Sequence, residues 1–474
     1  MLFNSYAFWG FFLLIILLYR WANHRVQNTV LLVGSYVFYG CWDWRFLPLI
    51  AVTTLINFYT GIGIEKYSQS SNSEAEIRKK QRILLTVSIV ASLGMLGFFK
   101  YWGFFIDSTS ALLTALGMST SLPVLEILLP VGISFYTFQT MSYTIDVYRG
   151  ETKPTRNLAD FALYVAYFPQ LVAGPIERSS SLLPQILKRR ERLEGDFTEG
   201  LSLVMMGLFM KVVVADNLSL IANGGFSGHE DVTGADALMG IYAFAFQIYG
   251  DFAGYSLIAR GVSKWLGIDL MTNFRMPYLA RNPSDFWQRW HISLSSWLRD
   301  YLYIPLGGNR GKGWRIYRNL MLTMLIGGLW HGAGWTFVCW GGLHGILLCI
   351  YRPFGKQLFL KGRFGRVVAT MLFFQWVCLT WLLFRAENMS QVWSMLQLIV
   401  TDFTFSDFSR YAFWMLLFLA GPLMLLEIWQ EQKYTTRRLE ILPWGYRAAI
   451  YCYFIFMLIE FPPVQHGEFI YFQF

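Results

Sequence analysis

Long apolar runs, separated by short polar or basic segments, recur along the whole chain. Several are long enough to cross a hydrocarbon core of about 30 Å as helices, and none alternates apolar and polar positions as barrel strands do. They predict ten spanning helices, at residues 5–20, 28–42, 46–64, 83–105, 123–146, 198–222, 236–257, 367–384, 411–428 and 447–461. Because no repeat or linker interrupts them, we expect an all-α polytopic membrane bundle that forms one domain over residues 1–474.

Two apolar stretches, 158–175 and 319–351, do not fit simple spans. The second has 33 residues, whereas two spans need about 40. Basic residues flank both of its ends, which indicates that both ends are cytosolic. We therefore expect a re-entrant hairpin that turns near Gly332-Ala333-Gly334, with one long tilted helix as the alternative.

The segment before this hairpin contains a helix start at Asn282. Asn282 is the expected N-cap, Pro283 opens the first turn, and Asp285 lies near the positive end of the helix dipole. The helix that follows is expected to lie at the membrane interface or under the bundle. It would carry one apolar stripe of Phe286, Trp290, Leu294, Trp297 and Tyr301.

The composition is that of an integral membrane protein. Apolar residues make up 55% of the chain and charged residues 15%, against about 25% charged residues in soluble domains. If the N-terminus lies outside, the outward segments hold three basic and eight acidic residues, so the other Lys and Arg fall in cytosolic loops or spans. The net charge of +9 is therefore a topology signal that places both termini outside, and we expect no nucleic-acid partner.

His331 is the first candidate for chemistry. It lies between Trp330 and Gly332 inside the apolar stretch, and a titratable side chain at membrane depth indicates a functional site. Its charge changes near neutral pH, so it can act as a general base. His291, which flanks the apolar stripe together with Arg289, is the second catalytic candidate and is expected to face a cavity from the cytosolic side. For both histidines a hydrogen-bonded packing role is the alternative, and for His344 packing is favoured.

Other catalytic classes lack their signatures. No HxxxH, HxxE or CxxC spacing occurs, so we expect no catalytic metal. No GxSxG motif marks a nucleophilic serine. The five cysteines are scattered, mostly in apolar runs, and are expected to be core residues.

Polar residues elsewhere suggest pairing and binding. Lys211 and Asp216 share one predicted span, for which we favour a structural ion pair. The basic, glycine-rich segment Gly307–Gly313 is not a Walker A loop, although its amides could hold a phosphate-bearing donor. The aromatic tail Phe469–Phe474 is expected outside, docked in the protein's own cavity or on a partner. The candidate substrate-binding residues are Trp330, Arg289, Asn309, Arg310 and Asp251.

Several of these segments resemble the bacterial membrane-bound O-acyltransferase family. Within it, they are most similar to the membrane subunit of alginate, cellulose and peptidoglycan O-acetylation systems. The resemblance covers nearly the whole chain. It is carried, in order, by Leu129–Tyr136, Ala173–Pro175, Arg289–Ile304, Leu306–Arg310, Gly328–Gly332 and the aromatic tail.

The resemblance implies a helical bundle around a funnel or tunnel, in a bacterial cytoplasmic membrane. His331 matches the family's essential histidine, and His291 its second, more variable one. The resemblance also implies acetyl-coenzyme A as the cytosolic donor, no tightly bound cofactor, and an extracytoplasmic esterase-like partner within the polysaccharide machinery. Tyr471 matches the tyrosine of a C-terminal aromatic motif proposed to relay the acyl group across the membrane.

We therefore expect an O-acyltransferase that moves acetyl groups outward for polysaccharide O-acetylation. D-alanyl transfer to teichoic acid and lipid acyl transfer are alternatives. In the teichoic acid branch the comparable motif lies on a separate small subunit, so the aromatic tail of this chain favours the polysaccharide branch. A transporter would often show two related halves, which this sequence lacks, and a scaffold role would leave His331 unexplained.

Overall fold

The computed structural model describes residues 1–462 apart from 72, 119–121, 123–124, 126, 173, 192–193, 230, 356–361 and 432–441. Every regular element in these residues is a helix, which confirms the all-α prediction. The chain divides into two compact units, one of residues 1–196 with 262–270 and one of residues 197–261 with 271–474. The expectation of a single domain stays a prediction.

The first unit is held together by caps and by an aromatic core. Ser5 and Asn23 accept hydrogen bonds from backbone amides in the first turns that follow them, which satisfies donors that a helix start leaves unpaired. The ring of Phe38 lies 6.1 Å from that of Phe8 and 5.7 Å from that of Phe168. The helices are α1 (Tyr6–Arg20), α2 (His24–Asp43), α3 (Leu47–Ser68), α4 (Glu74–Leu96), α5 (Trp102–Ala115), α6 (Ile133–Arg149), α7 (Leu158–Ala166), α8 (Phe168–Leu171) and α9 (Ser179–Leu187), with short segments at Trp44–Phe46 and Gly97–Tyr101.

The predicted span 123–146 is wrong at its start. The helix α6 begins only at Ile133. The chain enters it through Gly132, whose φ of 75° lies in the left-handed region, so the right-handed helix does not continue backwards. The apolar stretch 158–175 contains the short helices α7 and α8.

The second unit contains the candidate catalytic residues. Its core is rich in aromatic side chains, including Trp290, Trp340 and Trp381. The last residues of its long helix α12 group with the first unit. The helices are α10 (Asp196–Leu208), α11 (Asn217–Gly225), α12 (Gly234–Trp265), α13 (Pro283–Trp287), α14 (Ile292–Leu298), α15 (Gly313–His331), α16 (Trp335–Phe354), α17 (Gly362–Arg385), α18 (Met389–Thr401), α19 (Asp407–Glu431) and α20 (Trp444–Glu460), with π-helical segments at Phe209–Asp216 and Arg299–Tyr303 and a 3₁₀ turn at Pro277–Leu279.

The helices α15 and α16 form the predicted hairpin. They turn at residues 332–334, which confirms the turn and excludes one long helix. The two helices pack closely, because a Cβ atom at Gly328 would lie 2.3 Å from the carbonyl oxygen of Phe337, and one at Gly341 would lie 2.2 Å from that of Met324. With 19 and 20 residues, each is about 30 Å long, so the length argument for a re-entrant geometry is wrong.

Six helical stretches among the described residues are long and apolar enough to cross a membrane. The protein is therefore a multi-pass membrane protein, and the number of ten spans stays a prediction. The stretches are His24–Ser68, Glu74–Ala115, Asp196–Gly225, Trp335–Phe354, Gly362–Arg385 and Asp407–Glu431.

Candidate active site

The break between α15 and α16 positions His331. His331 is the last residue of α15, and the backbone leaves the helix at Gly332 in an extended conformation with φ −153° and ψ 146°. The side chain is 3% exposed. Its ring packs edge-on against Trp330, Trp340 and Phe384, with centroid distances of 5.1, 5.1 and 5.4 Å. Aromatic rings therefore fix the imidazole in the core of the second unit.

His291 lies at a second break. Asn282 caps α13 as predicted, since its side chain accepts from the Asp285 amide at 2.9 Å. However, α13 ends at Trp287 and α14 begins at Ile292, so the prediction of one continuous helix is wrong. His291 itself has φ 43° and ψ 55°. This left-handed conformation costs a non-glycine residue about 1–2 kcal/mol, and such strain is concentrated at functional sites.

Hydrogen bonds to a distant segment stabilise this break. The amide of Ile292 donates to the carbonyl of Asn273 at 2.8 Å, and the amide of Arg275 donates to the carbonyl of Arg289 at 2.9 Å. These bonds replace helical ones, which accounts for the interruption. Four members of the apolar stripe, Phe286, Trp290, Leu294 and Trp297, are at most 5% exposed, and Tyr301 is half-buried. The position of the stripe at the membrane interface or under the bundle stays a prediction.

The two breaks bring the histidines together. The ring centroids of His291 and His331 lie 6.2 Å apart, and the ring of Trp330 lies 5.8 Å from that of His291. His291 is fully buried, and its Nδ1 lies 3.1 Å from Oδ1 of Asn273. Burial lowers the pKa of His291 to about 3, because a dry environment disfavours the imidazolium. His291 is therefore a neutral imidazole at physiological pH.

A cavity of about 400 Å³ lies beside His331. His331 and Trp340 form part of its wall, and the rest is mostly apolar, with Leu294, Leu298 and Met324. The polar groups in the wall come from Ser284, Gln288, Ser295, Ser296, Arg299, Tyr303 and Thr323. Ligand pockets typically have volumes of roughly 300–1,000 Å³ and a few polar groups in an apolar lining, so this cavity is suited to an acyl chain or a thioester.

A second cavity, of about 360 Å³, adjoins the first. The two share the lining residues Ser284, Tyr303, Leu320 and Leu348. The second adds Arg352 and Asn309, and Oδ1 of Asn309 accepts from Nη1 of Arg352 and from the Tyr303 hydroxyl, both at 2.9 Å. The combined space therefore has His331 at one end and the guanidinium of Arg352, an exposed residue bonded to Asn309, at the other.

Four of the five predicted binding residues, Trp330, Arg289, Arg310 and Asp251, line neither cavity, and only Asn309 does. Arg289 forms ion pairs with Asp285 at 2.6 Å and Glu431 at 2.8 Å, and it lines neither of the two cavities. Arg310 is exposed, and its amide donates to the Gly307 carbonyl. The amides of Gly307 and Gly308 also donate to backbone carbonyls, so these three amides do not form the expected phosphate cradle.

The buried charges pair as predicted. Nζ of Lys211 lies 2.7 Å from Oδ1 of Asp216, and all three residues of the group, Lys211, Asp216 and Asp251, are at most 5% exposed. Asp251 joins the pair, with its Oδ1 2.8 Å from the same Nζ. These contacts give Asp251 a structural partner, and its predicted role in substrate binding stays a prediction.

The remaining histidine in this region, His344, is held by a hydrogen bond and ring contacts. Nε2 of His344 lies 3.1 Å from Oγ1 of Thr380, and its ring stacks on Phe286 at 5.9 Å; these contacts agree with the packing role, which stays a prediction. Tyr471 lies outside the described residues, as does the rest of the predicted aromatic tail.

Several residues of the site escaped the sequence analysis. Asn273 contacts His291 from a loop 18 residues away, and Ser295, Ser296 and Thr323 line the cavity. Ser295 and Ser296 lie within the segment Arg289–Ile304 that carries the family resemblance, but no spacing rule singles them out, and Asn273 and Thr323 stand in no such segment. Arg352 belongs to the basic flank that follows the apolar stretch 319–351, and its contact with Asn309 depends on the folded hairpin.

His331 lines a ligand-sized cavity and packs beside the buried His291, which lines neither of the two cavities although the sequence predicted that it faces one. A reactive histidine beside such a cavity in a multi-pass bundle is suited to catalysis in a membrane, and comparison with known proteins gives the class of protein. The family model for membrane-bound O-acyltransferases matches residues 151–360. The probable alginate O-acetylase of Azotobacter vinelandii is 44% identical over 413 residues, covering 86% of this chain and 80% of the relative. The chain therefore belongs to the membrane-bound O-acyltransferase family, and it is an acyltransferase.

Two further relatives place the chain within the family. The peptidoglycan O-acetyltransferase of Helicobacter pylori is 35% identical over 79% of this chain and 74% of the relative. The teichoic acid D-alanyltransferase of Bacillus subtilis is 28% identical over 54% of this chain and 69% of the relative. The similarity is thus greater, and covers more of the chain, for the relatives named as O-acetylating enzymes.

Proposed function

We propose that this acyltransferase moves acetyl groups from a cytosolic thioester, acetyl-coenzyme A, across the membrane for O-acetylation of an extracytoplasmic polysaccharide. The observation that carries the proposal is His331, buried beside His291 at one end of a ligand-sized cavity. The relatives named for alginate and peptidoglycan O-acetylation support an acetyl group over D-alanine, because they match more of the chain.

His331 acts as the general base in this proposal. It removes the proton of the acceptor hydroxyl while the oxygen attacks the thioester carbonyl. The tetrahedral intermediate then collapses, the carbon–sulfur bond breaks, and the imidazolium of His331 returns the proton to the departing thiolate. The products are an acetyl ester and free coenzyme A. General-base catalysis of this kind contributes about 10²–10⁴-fold, and His291 assists from the neighbouring position.

The acceptor and the partner extend the proposal beyond the described residues. We assign the acceptor hydroxyl to Tyr471, whose acetyl ester would then be passed to an extracytoplasmic esterase-like partner. Tyr471→Phe keeps the ring and removes only the hydroxyl, so the relay requires that this variant lose acetylation. Normal acetylation by Tyr471→Phe would eliminate the relay and leave His331 to activate another acceptor.

The charge pattern supports a cytosolic donor. The polar end of the combined cavity is formed by Arg352 and Asn309, and Arg352 belongs to the basic flanks of the hairpin. The positive-inside rule places these flanks in the cytosol. In the proposed orientation the donor enters at this end, the thioester reaches His331, and both termini lie outside the cytoplasmic membrane.

The proposal is tested by polysaccharide acetylation in cells that depend on this protein. His331→Ala should abolish polymer acetylation at unchanged protein abundance, because it deletes the base. His344→Gln is the matched control: His344 is equally buried and contacts Thr380, and its replacement should leave most of the acetylation. Acetylation by His331→Ala equal to that of the control would refute the assignment, and incorporation of labelled D-alanine but not acetate would favour the alternative substrate.

A further inference from the structure

Asn273 connects three polar residues in the core of the second unit. It is 1% exposed. Its Oδ1 lies 3.2 Å from the Ser293 amide nitrogen, 2.9 Å from Oγ of Ser293 and 3.1 Å from Nδ1 of His291. Its Nδ2 lies 3.3 Å from Oγ of Ser256. Every contact of this amide is therefore buried, and its orientation determines what His291 can do.

The backbone amide of Ser293 fixes the orientation of the Asn273 side chain. A backbone N–H can only donate, so the atom that faces it must be the acceptor Oδ1 and not Nδ2. The Ser256 hydroxyl fits either orientation, because it can donate or accept. The Ser293 amide alone therefore identifies which end of the Asn273 side chain is Oδ1 and which is Nδ2. Distances to neighbouring atoms do not by themselves distinguish the two.

This orientation in turn determines the protonation of His291. Oδ1 of Asn273 can only accept, so Nδ1 of His291 must carry the proton that lies between them. The opposite tautomer would place two acceptors 3.1 Å apart. The Ser293 hydroxyl, 3.4 Å from Nδ1, does not relieve that conflict, because its single proton is directed to Asn273 at 2.9 Å.

We propose that Asn273 is a positioning residue, which holds His291 as the Nδ1-protonated tautomer and makes Nε2 the basic nitrogen of the ring. Only the role of His291 in acyl transfer rests on the proposed function; the assignment of the tautomer does not. The unprotonated Nε2 of neutral His291 is then a hydrogen-bond acceptor. Two neighbouring rings, those of Trp330 and His331, carry N–H donors. In a serine protease triad, enforcing the wrong histidine tautomer lowers kcat about 10⁴-fold.

The tautomer can be measured directly by nitrogen NMR. The chain has six histidines, so the full-length protein labelled with ¹⁵N-histidine in lipid bilayers gives few signals, and His291→Gln identifies those of His291. Wild type should show a protonated Nδ1 and an unprotonated Nε2. Asn273→Asp should keep Nδ1 protonated, because a carboxylate also only accepts. Asn273→Leu removes the acceptor and frees the Ser293 hydroxyl to donate to Nδ1, so its major form should carry the proton on Nε2.

Two results would overturn the proposal. One is a wild-type His291 that carries its proton on Nε2, and the other is an Asn273→Leu variant whose His291 signals match those of wild type. Because these signals do not depend on turnover, they decide the tautomer even if the wild type transfers no acetyl group. In that case the proposed function fails while the role of Asn273 in fixing the ring stands or falls separately.

Kinetics separates positioning from loss of structure. Asn273→Leu should lower kcat by about tenfold or more with little change in KM, and Asn273→Asp should retain more activity. Asn57→Leu is the control, because Asn57 is a fully buried amide of the first unit bonded to Ser88 and Thr144. Equal losses of kcat in Asn57→Leu and Asn273→Leu would show that Asn273 only stabilises the fold.

Discussion

The glycine that follows His331 gives a sharp test of how the hairpin positions the histidine. Its backbone φ of −153° can be adopted by any residue. Gly332→Ala therefore acts through steric contact of the added methyl group and not through backbone strain. The added Cβ would lie 2.1, 2.4 and 2.5 Å from three carbon atoms of the Phe337 ring. Carbon atoms pack best at about 3.5–4.0 Å, so the ring must retreat by more than about 1 Å.

The displaced ring is connected to His331. Phe337 is 8% exposed, and its ring lies 4.9 Å from Phe384, which lies 5.4 Å from His331. Overpacking a core typically costs about 1–3 kcal/mol, whereas misplacing a catalytic group by about 1 Å can cost about 100-fold in rate. Gly332→Ala should therefore lower kcat for acetyl transfer by about 10–100-fold while the protein stays folded, as judged by its thermal unfolding in detergent.

Two further variants make this prediction specific. A Cβ at Gly334 would meet Phe337 at 3.5 Å, which is ordinary contact, so Gly334→Ala should behave like wild type. Gly332→Ala combined with Phe337→Leu should recover activity, because the smaller side chain leaves room for the methyl group. If Gly332→Ala retains the same kcat as Gly334→Ala, the packing around Phe337 does not position His331.

Three other predictions follow from the buried charges and the cavity. Lys211→Met leaves two buried carboxylates without their cation and should destabilise the protein by about 3–5 kcal/mol. Adding Asp216→Asn and Asp251→Asn to Lys211→Met should restore most of the lost stability, as measured by thermal unfolding. A Lys211→Met variant as stable as wild type would contradict the pairing. Burial lowers the pKa of His291 to about 3, below about 6.5 in an unfolded chain, so the unfolded state binds more protons as pH falls. The contribution of His291 to stability should fall by about 2 kcal/mol between pH 6.5 and pH 5, so wild type should lose about that much more than His291→Gln over this range; equal losses would refute the assignment. Arg352→Gln should raise KM for acetyl-coenzyme A several-fold at constant kcat, since its guanidinium lies away from His331, and an unchanged KM would place the donor elsewhere.

Local sequence features predicted the hairpin turn well. Glycines at residues 332 and 334 within an apolar run indicate a break, and the chain turns there. The lengths of the helices were harder to predict, because α15 begins at Gly313 and includes the basic residues Arg315 and Arg318. Counting only apolar residues therefore underestimates the length of the two hairpin helices.

The second break could not be read from local pattern. Residues from Phe286 to Tyr301 have helical periodicity, yet the helix stops before His291 because Ile292 bonds to Asn273 and Arg289 bonds to Arg275. The same limit applies to the site. His291 and His331 are forty residues apart in sequence, and only the folded chain brings their rings within 6.2 Å. Likewise, the sequence predicts that Lys211 needs a partner, but not that Asp251 is a second one.

The most direct test of the proposed chemistry is transfer of label from acetyl-labelled acetyl-coenzyme A to the purified protein in detergent. Wild type, His331→Ala, Tyr471→Phe and the control His344→Gln would be compared on denaturing gels. We expect label on wild type and on His344→Gln, and none on the other two variants. Label of wild-type intensity on His331→Ala would contradict the central claim that His331 activates the acceptor.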